Sequence, residues 1–251
     1  MPTELTADRF VERLTAYRSP DQLRKYQRAF KAADGGDEFI GVRMGQVFAL
    51  AKEFIELPPA ELERLLESPV HEARAGALSV MDKQARRKRT PESRRRELYE
   101  LYLRRSDRID NWDLVDLAAP YVVGGYLFDK PRDVLDELAR SGNPWARRTA
   151  IVATGFFIRQ GEVDDTFRIA ELLAADDHDL VHKATGWMLR EAGKRDRPRL
   201  LRFLDDHAGT LPRTLLRYAI EHLDPEQRSH YLAMRKTTPG RSRTGSNTVS
   251  D

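Results

Sequence analysis

The chain has 251 residues, with 43 lysines and arginines against 40 aspartates and glutamates, so its formal net charge is only +3. Hydrophobic residues make up 40% of the chain, enough to bury a sizeable core, which excludes disorder over its whole length. The absence of cysteine excludes disulfides, thiolate zinc sites, iron–sulfur clusters and cysteine nucleophiles. Because we find no signal-peptide pattern and no apolar run near the roughly 18 residues of a membrane span, we expect a soluble, cytoplasmic protein.

Helix signals dominate the chain from its start. Strand-like alternation is absent, and the best strand candidate, Tyr121 to Val123, follows Pro120 and is better interpreted as a turn or the start of a helix. We therefore predict an all-α fold that begins with two helices before residue 32 and a third over residues 43–54. Proline after a capping residue marks helix starts at Ser19-Pro20, Thr90-Pro91, Asn143-Pro144 and Asp224-Pro225.

A repeat follows these first helices. Five leucines recur at steps of 38, 35, 34 and 32 residues, and a small or apolar residue lies twelve positions after each. Each unit is interpreted as helix, short polar turn, helix, and such pairs stack because one pair cannot bury its apolar face alone. The spacing favours a short HEAT-like solenoid. The five pairs are Leu65 and Ala77, Leu103 and Val115, Leu138 and Ala150, Leu172 and Ala184, and Leu204 and Leu216.

We expect one domain over residues 1–236, with the first three helices as its N-terminal cap. Residues 237–251 are mostly threonine, serine, glycine, proline, arginine and asparagine with a single large aliphatic residue, Val249. That composition cannot bury a core, so we predict a flexible tail.

Basic residues concentrate in one region. Residues 83–108 contain 11 basic and four acidic side chains, a local charge of +7 that exceeds the net charge of the whole chain. This pattern indicates a phosphate-facing surface, with Arg86 and Arg87 as candidate phosphate contacts; the alternative is a solvated loop and helix face.

Three short runs carry candidate site residues. In NWDLVD at residues 111–116, Trp112 and Asp116 share a helix face, although such a pair is more often structural than catalytic. In KATGWMLRE at residues 183–191, Gly186 within a helix asks for a packing or functional reason. In WARR at residues 145–148, two adjacent arginines point in different directions, so at most one faces a given site.

A metal site is the competing interpretation of His178 and His182. They lie four residues apart among Asp176, Asp177 and Asp179, which resembles half of a zinc motif. The glutamate and the third ligand of such a motif are missing, so we expect no metal.

The three runs, in this order and at these distances, resemble the AlkD-type DNA alkylation repair family. GVR at residues 41–43 resembles the start of that family's homologous region, and the likeness spans residues 20 to 230. The resemblance implies a HEAT-like array curved around duplex DNA, with a concave basic face. It also implies a glycosylase that releases cationic alkylated purines such as N3-methyladenine and N7-methylguanine, without a cofactor and as a monomer.

The resemblance also implies roles for individual residues. Asp116 would be the catalytic carboxylate, and Trp112 and Trp187 would be aromatic walls beside the lesion. Arg148 and Arg190 would hold phosphates near it, and we add Arg43 and Lys183 as DNA contacts. The chain departs from the family at Asn111, where some members have a second tryptophan, and at residues 154–157, where basic residues are replaced by Thr, Gly, Phe and Phe.

The chemistry of these residues suits base release. An alkylated purine is already cationic, so it leaves without a general acid, and a carboxylate beside C1′ stabilises the positive charge that moves to the sugar. Two alternatives stay open: a non-catalytic repeat protein that binds distorted or branched DNA, and a protein-interaction scaffold.

Overall fold

The computed structural model describes residues 5–29 and 38–234, which are almost entirely helical. Within these ranges there is no β-strand, and Glu38 and Val70 form one isolated bridge. The predicted all-α fold is therefore confirmed. The predicted tail at residues 237–251 lies outside the described residues.

The N-terminal helices occur where the sequence predicts them. They are α1 (Ala7–Thr15), α2 (Pro20–Ala29) and α3 (Met44–Glu53). Phe10 and Leu14 of α1 are fully buried, and the ring of Phe10 packs edge-on against Phe54 at 5.2 Å between centroids. These contacts attach the first helix to the array.

The remaining helices alternate between two layers. We call layer A the series in which each helix packs against the next: α3, α5 (His71–Arg86), α7 (Trp112–Ala118), α10 (Pro144–Gln160), α12 (Asp179–Gly193) and α14 (Arg213–Ala219). Layer B consists of α1, α4 (Pro59–Leu66), α6 (Glu92–Arg104), α9 (Asp133–Ala139), α11 (Asp164–Leu172) and α13 (Arg197–His207). The short α8 (Gly125–Leu127) follows α7, and α15 (Pro225–Ala233) ends the described chain.

The two layers explain the sequence repeat. All five anchor leucines lie in layer B helices, and all five residues twelve positions later lie in layer A helices, where each is buried. The buried residues form one continuous hydrophobic core between the layers. The array is thus a HEAT-like stack of helix pairs, as predicted.

Three of the four proline signals fall at the first residue of a helix: Pro20, Pro144 and Pro225. Pro91 instead precedes the first residue of α6, one position earlier than predicted. Tyr121 lies in a π-helical turn, Ala119–Gly124, that continues α7. Pro120 lacks an N–H and cannot complete the regular ladder, which accounts for the widened turn.

Two glycines allow close helix packing. A Cβ on Gly186 of α12 would lie 2.4 Å from the carbonyl oxygen of Leu215 in α14, so the predicted packing reason for this glycine is found. A Cβ on Gly124 would lie 2.1 Å from the carbonyl oxygen of Ala153 in α10. Any larger residue at either position would push neighbouring layer A helices apart.

No helix in the described ranges combines the length and apolarity that crossing a bilayer requires.

Candidate functional site

Asp116 and Arg148 form an ion pair between α7 and α10. Nε of Arg148 donates to Oδ1 of Asp116 at 3.0 Å, and Nη2 donates to Oδ2 at 2.7 Å. Nη1 of Arg148 donates to the carbonyl oxygen of Leu180 at the start of α12. One guanidinium therefore joins three layer A helices and fixes both oxygens of the carboxylate.

The pair is mostly removed from solvent, but the carboxylate retains an open side. The side chain of Arg148 is 6% exposed and that of Asp116 is 21% exposed. Burial raises the pKa of Asp116, and the hydrogen bonds and charge of Arg148 oppose that rise. A carboxylate has more acceptor positions than the two that Arg148 occupies, so the exposed side can meet a ligand.

Trp112 lies one turn before Asp116 and is 40% exposed. Asn111 caps this helix, because its Oδ1 accepts a hydrogen bond from the backbone N–H of Trp112 at 2.8 Å. The side chain of Asn111 is buried. Asn111, where the sequence departs from the resemblance, thus has a structural role as a helix cap, which leaves Trp112 and Asp116 on the same face.

Polar residues of α5 hold the start of α7. Nε2 of His71 lies 2.7 Å from Oδ2 of Asp113, and Nη2 of Arg74 donates to Oδ1 of Asp110 at 3.2 Å. Both His71 and Arg74 are buried. These contacts fix the turn from which Trp112 and Asp116 project.

A third buried polar residue of α5, Glu72, holds the segment that precedes α3. Its carboxylate accepts hydrogen bonds from the backbone N–H groups of Ile40, Gly41 and Val42, at 2.8 to 3.2 Å. Sequence reasoning missed His71, Glu72 and Arg74. Their only signal in the sequence was a cluster of polar residues at the start of α5, where the repeat predicts apolar core residues.

Tyr102 lies behind the ion pair. Its hydroxyl is 3.0 Å from Oγ1 of Thr149, which in turn donates to the carbonyl oxygen of Trp145. Burial raises the pKa of Tyr102 well above its ordinary value, so the phenol stays neutral beside Asp116 and Arg148. The next-door Arg147 points away and pairs with Asp176 at 2.6 Å, as the sequence predicted for two adjacent arginines.

Trp187 lies elsewhere on layer A. It lines a cleft of about 430 Å³ between α10 and α12. Neither Asp116 nor Arg148 belongs to this cleft, and the role of Trp187 as a wall beside the lesion stays a prediction. The other lining residues are Gly155, Ile158, Arg159, Met188, Glu191, Lys194 and Arg195.

The remaining candidate DNA contacts differ in whether their charges are already paired within the fold. Arg43 is exposed and has no ion-pair partner in the described part of the chain, whereas Lys183 pairs with Asp179 at 2.7 Å. Arg190 is paired with Glu221 and lies 3.3 Å from Glu191. Their contacts with DNA stay predictions.

The basic run at residues 83–108 is not one surface. Arg86 contacts the ring of Tyr121 in layer A, whereas Arg87 pairs with Glu56. On α6, in layer B, Arg96 pairs with Glu100. Ion pairs within the fold therefore neutralise part of the local charge, and DNA contacts by Arg86 and Arg87 stay predictions.

The two histidines that suggested a metal have structural roles. Nδ1 of His178 caps α12 by accepting from the N–H of Leu180, and Nε2 of His182 lies 2.6 Å from the carbonyl oxygen of Asp176. Across residues 5–29 and 38–234 we find no group of three or more potential metal ligands.

Comparison with known proteins agrees with this architecture. The family model described as DNA alkylation repair enzyme matches residues 10–223, which is most of the chain. The fold, with its paired Asp116 and Arg148, thus belongs to a helical-repeat class of DNA repair proteins. The chain is a member of the DNA alkylation repair enzyme family.

A solved structure shares this fold. A predicted DNA alkylation repair enzyme from Enterococcus faecalis is 16% identical, with a TM-score of 0.67, covering 83% of this chain and 97% of that one. AlkD2 from Streptococcus mutans is 16% identical, with a TM-score of 0.48, covering 87% of this chain and 100% of that one. A search of curated proteins finds no match.

Proposed function

We propose that this protein is a monofunctional DNA glycosylase that hydrolyses the N-glycosidic bond of cationic alkylated purines in duplex DNA. The observation that carries the proposal is the carboxylate of Asp116, held at both oxygens by Arg148 and still 21% exposed beside Trp112. Family membership supports action on alkylated DNA.

In the proposed reaction the glycosidic bond breaks and its electron pair stays with the base, which loses its positive charge as it leaves. Positive charge develops on the sugar, where the fixed carboxylate of Asp116 stabilises it. A water oxygen then bonds to C1′ from the face that carries Asp116, and the carboxylate or solvent takes the proton.

Arg148 orients this carboxylate and favours its ionised form. Its hydrogen bonds oppose the effect of burial on the pKa of Asp116, so the anionic form that the reaction needs is favoured. The exposed ring of Trp112 adds attraction for cationic character, worth about 0.5–2 kcal/mol.

A lyase step through Lys183 has no support. The hydrogen bond that Lys183 donates to Asp179 raises the pKa of Lys183, so its amine stays protonated and is a poor nucleophile. The geometry therefore favours hydrolysis alone.

The test is base release from methylated duplex DNA by wild type, Asp116→Asn and Asp129→Asn, with free bases separated by chromatography. We expect Asp116→Asn to lose 10²- to 10³-fold in rate, the scale of removing one preorganised charge-stabilising group. It should bind DNA at least as tightly, because a negative charge near phosphates is removed. Asp129→Asn changes an exposed carboxylate that pairs with Lys130 instead, and it should match wild type.

Three results would count against the proposal. Near-normal release by Asp116→Asn would remove its catalytic role. No release by wild type, with DNA still bound, would indicate a non-catalytic DNA-binding protein. No binding would indicate a protein scaffold.

A further inference from the structure

A second cluster of charged and aromatic side chains lies on layer A, apart from the Asp116 pair. We call it the Tyr121 cluster: Asp82, Lys83 and Arg86 of α5, Tyr121 of the π-helical turn, and Arg159 of α10. The guanidinium carbon of Arg86 lies 3.7 Å from the centroid of the Tyr121 ring, and that of Arg159 lies 5.3 Å from it. One ring therefore holds two cations from two helices.

The fold orients Arg86 but leaves donors open. Its Nε lies 2.8 Å from both carboxylate oxygens of Asp82, which is buried. The side chain of Arg86 is 50% exposed, and its two terminal nitrogens donate to no described residue. A guanidinium fixed by stacking and by its inner nitrogen presents its outer nitrogens as a ready anion-binding fork.

Arg159 has fewer polar contacts than Arg86. It is exposed and has no hydrogen bond or ion pair with any residue in the described ranges. Phe156, one turn earlier on α10, packs edge-on against Tyr121 at 5.4 Å and supports the ring beneath the two cations.

The cluster has an excess of positive charge. Lys83 donates to Oγ of Ser79 at 2.9 Å and lies 5.4 Å from the ring of Phe48, so three cations share the single carboxylate of Asp82. On α6 of the same basic run, Arg94, Arg96 and Arg104 each pair with a glutamate. In the Tyr121 cluster, Lys83 and Arg159 have no ion pair with a residue in the described ranges.

The position of the cluster suits a ligand longer than one nucleotide. Arg159 is eleven residues after Arg148 on the same helix, which corresponds to about 16 Å along its axis. One strand of B-DNA advances about 3.4 Å per phosphate, so this separation spans several nucleotides.

We propose that the Tyr121 cluster binds a backbone phosphate of duplex DNA several nucleotides away from the base held at Asp116. The cluster contacts the DNA backbone and not the bases, so it binds undamaged DNA of any sequence. It therefore contributes to affinity and to the position of the protein along the duplex. The assignment of duplex DNA as the ligand rests on the proposed function. The site itself follows from the open donors of Arg86 and Arg159.

The test is binding of an unmodified fluorescent duplex, by anisotropy, over a series of salt concentrations. Arg159→Gln should bind several-fold more weakly and flatten the log–log salt slope by about 0.9, the value for one lost phosphate contact. Tyr121→Leu removes no charge and should weaken binding with a smaller change in slope. The control is Arg202→Gln, an exposed arginine of layer B without an ion pair among the described residues, which should match wild type.

A duplex series locates the contact. Shortening one flank of the duplex at a time should abolish the difference between wild type and Arg159→Gln on one side only. An Arg159→Gln slope equal to those of wild type and Arg202→Gln would overturn the proposal, as would a difference that survives truncation of both flanks.

The two proposals fail separately. A changed slope for Arg159→Gln without any base release by wild type would retain the phosphate site and refute the glycosylase. Normal base release by wild type with an unchanged slope for Arg159→Gln would retain the glycosylase and refute the phosphate site.

Discussion

Arg148→Ala tests the central ion pair. Removing one partner of a buried ion pair costs about 3–5 kcal/mol, because the remaining charge stays buried without compensation. The carboxylate of Asp116 keeps 21% exposure, so water screens part of this cost. The carbonyl oxygen of Leu180 also loses its donor, and we expect the free energy of unfolding to fall by about 2–4 kcal/mol at neutral pH.

The pH dependence of stability distinguishes the uncompensated charge of Asp116 from the loss of packing around Arg148. Without Arg148, nothing opposes the effect of burial, so the pKa of Asp116 in the folded variant is raised further. A protonated Asp116 then favours the folded state below the ordinary pKa of an aspartate, and this contribution is lost as pH rises through the raised pKa. The stability deficit of Arg148→Ala is therefore largest at neutral pH and shrinks on acidification.

The measurement is urea unfolding followed by circular dichroism at neutral and mildly acidic pH, together with base release by folded protein. Arg147→Ala is the matched control, since Arg147 is the adjacent residue and pairs with the buried Asp176. It should lose stability to a similar extent but keep base release. A deficit for Arg148→Ala below about 1 kcal/mol, or one that grows with acid, would refute the reasoning, as would unchanged base release.

Two further substitutions test the array and its DNA contacts. Gly186→Ala should lower the free energy of unfolding by about 1–3 kcal/mol, because the new Cβ meets the backbone of α14. The control is Gly142→Ala, whose new Cβ meets nothing within 4 Å and should leave stability unchanged. Equal melting temperatures for the two variants would contradict this expectation. Arg43→Gln should flatten the salt slope of DNA binding by about 0.9, whereas Arg87→Gln, which already pairs with Glu56, should leave it unchanged. A flattened slope for Arg87→Gln with an unchanged slope for Arg43→Gln would instead indicate that DNA contacts Arg87 and not Arg43.

Local pattern was enough to predict the architecture. Apolar residues at helical spacing and prolines at helix starts are properties of neighbouring residues, so they identify helices without knowledge of the fold. The recurrence of Leu65 and Ala77 in later units predicted stacked helix pairs, since one pair cannot bury its own apolar face. Trp112 and Asp116 could be placed on one helix face for the same reason.

Sequence patterns could not decide which charges meet. The phosphate contact that the resemblance implies for Arg148 stays a prediction, whereas the structure shows its guanidinium on Asp116, 32 residues away. His71 reaches Asp113 across 42 residues. Such pairs depend on how far one helix is rotated against the next, and that rotation is set by packing across the core.

The basic run shows the difference most plainly. From sequence it was a single stretch with a charge of +7. The fold sends Arg86 to an aromatic ring of layer A and Arg96 to a glutamate of layer B, so neighbours in sequence have different surroundings. Sequence alone determined that the chain is an array of helix pairs with a charged region. Tertiary structure decided which charges remain open to a ligand, because an ion pair forms only between groups that packing brings within a few ångströms.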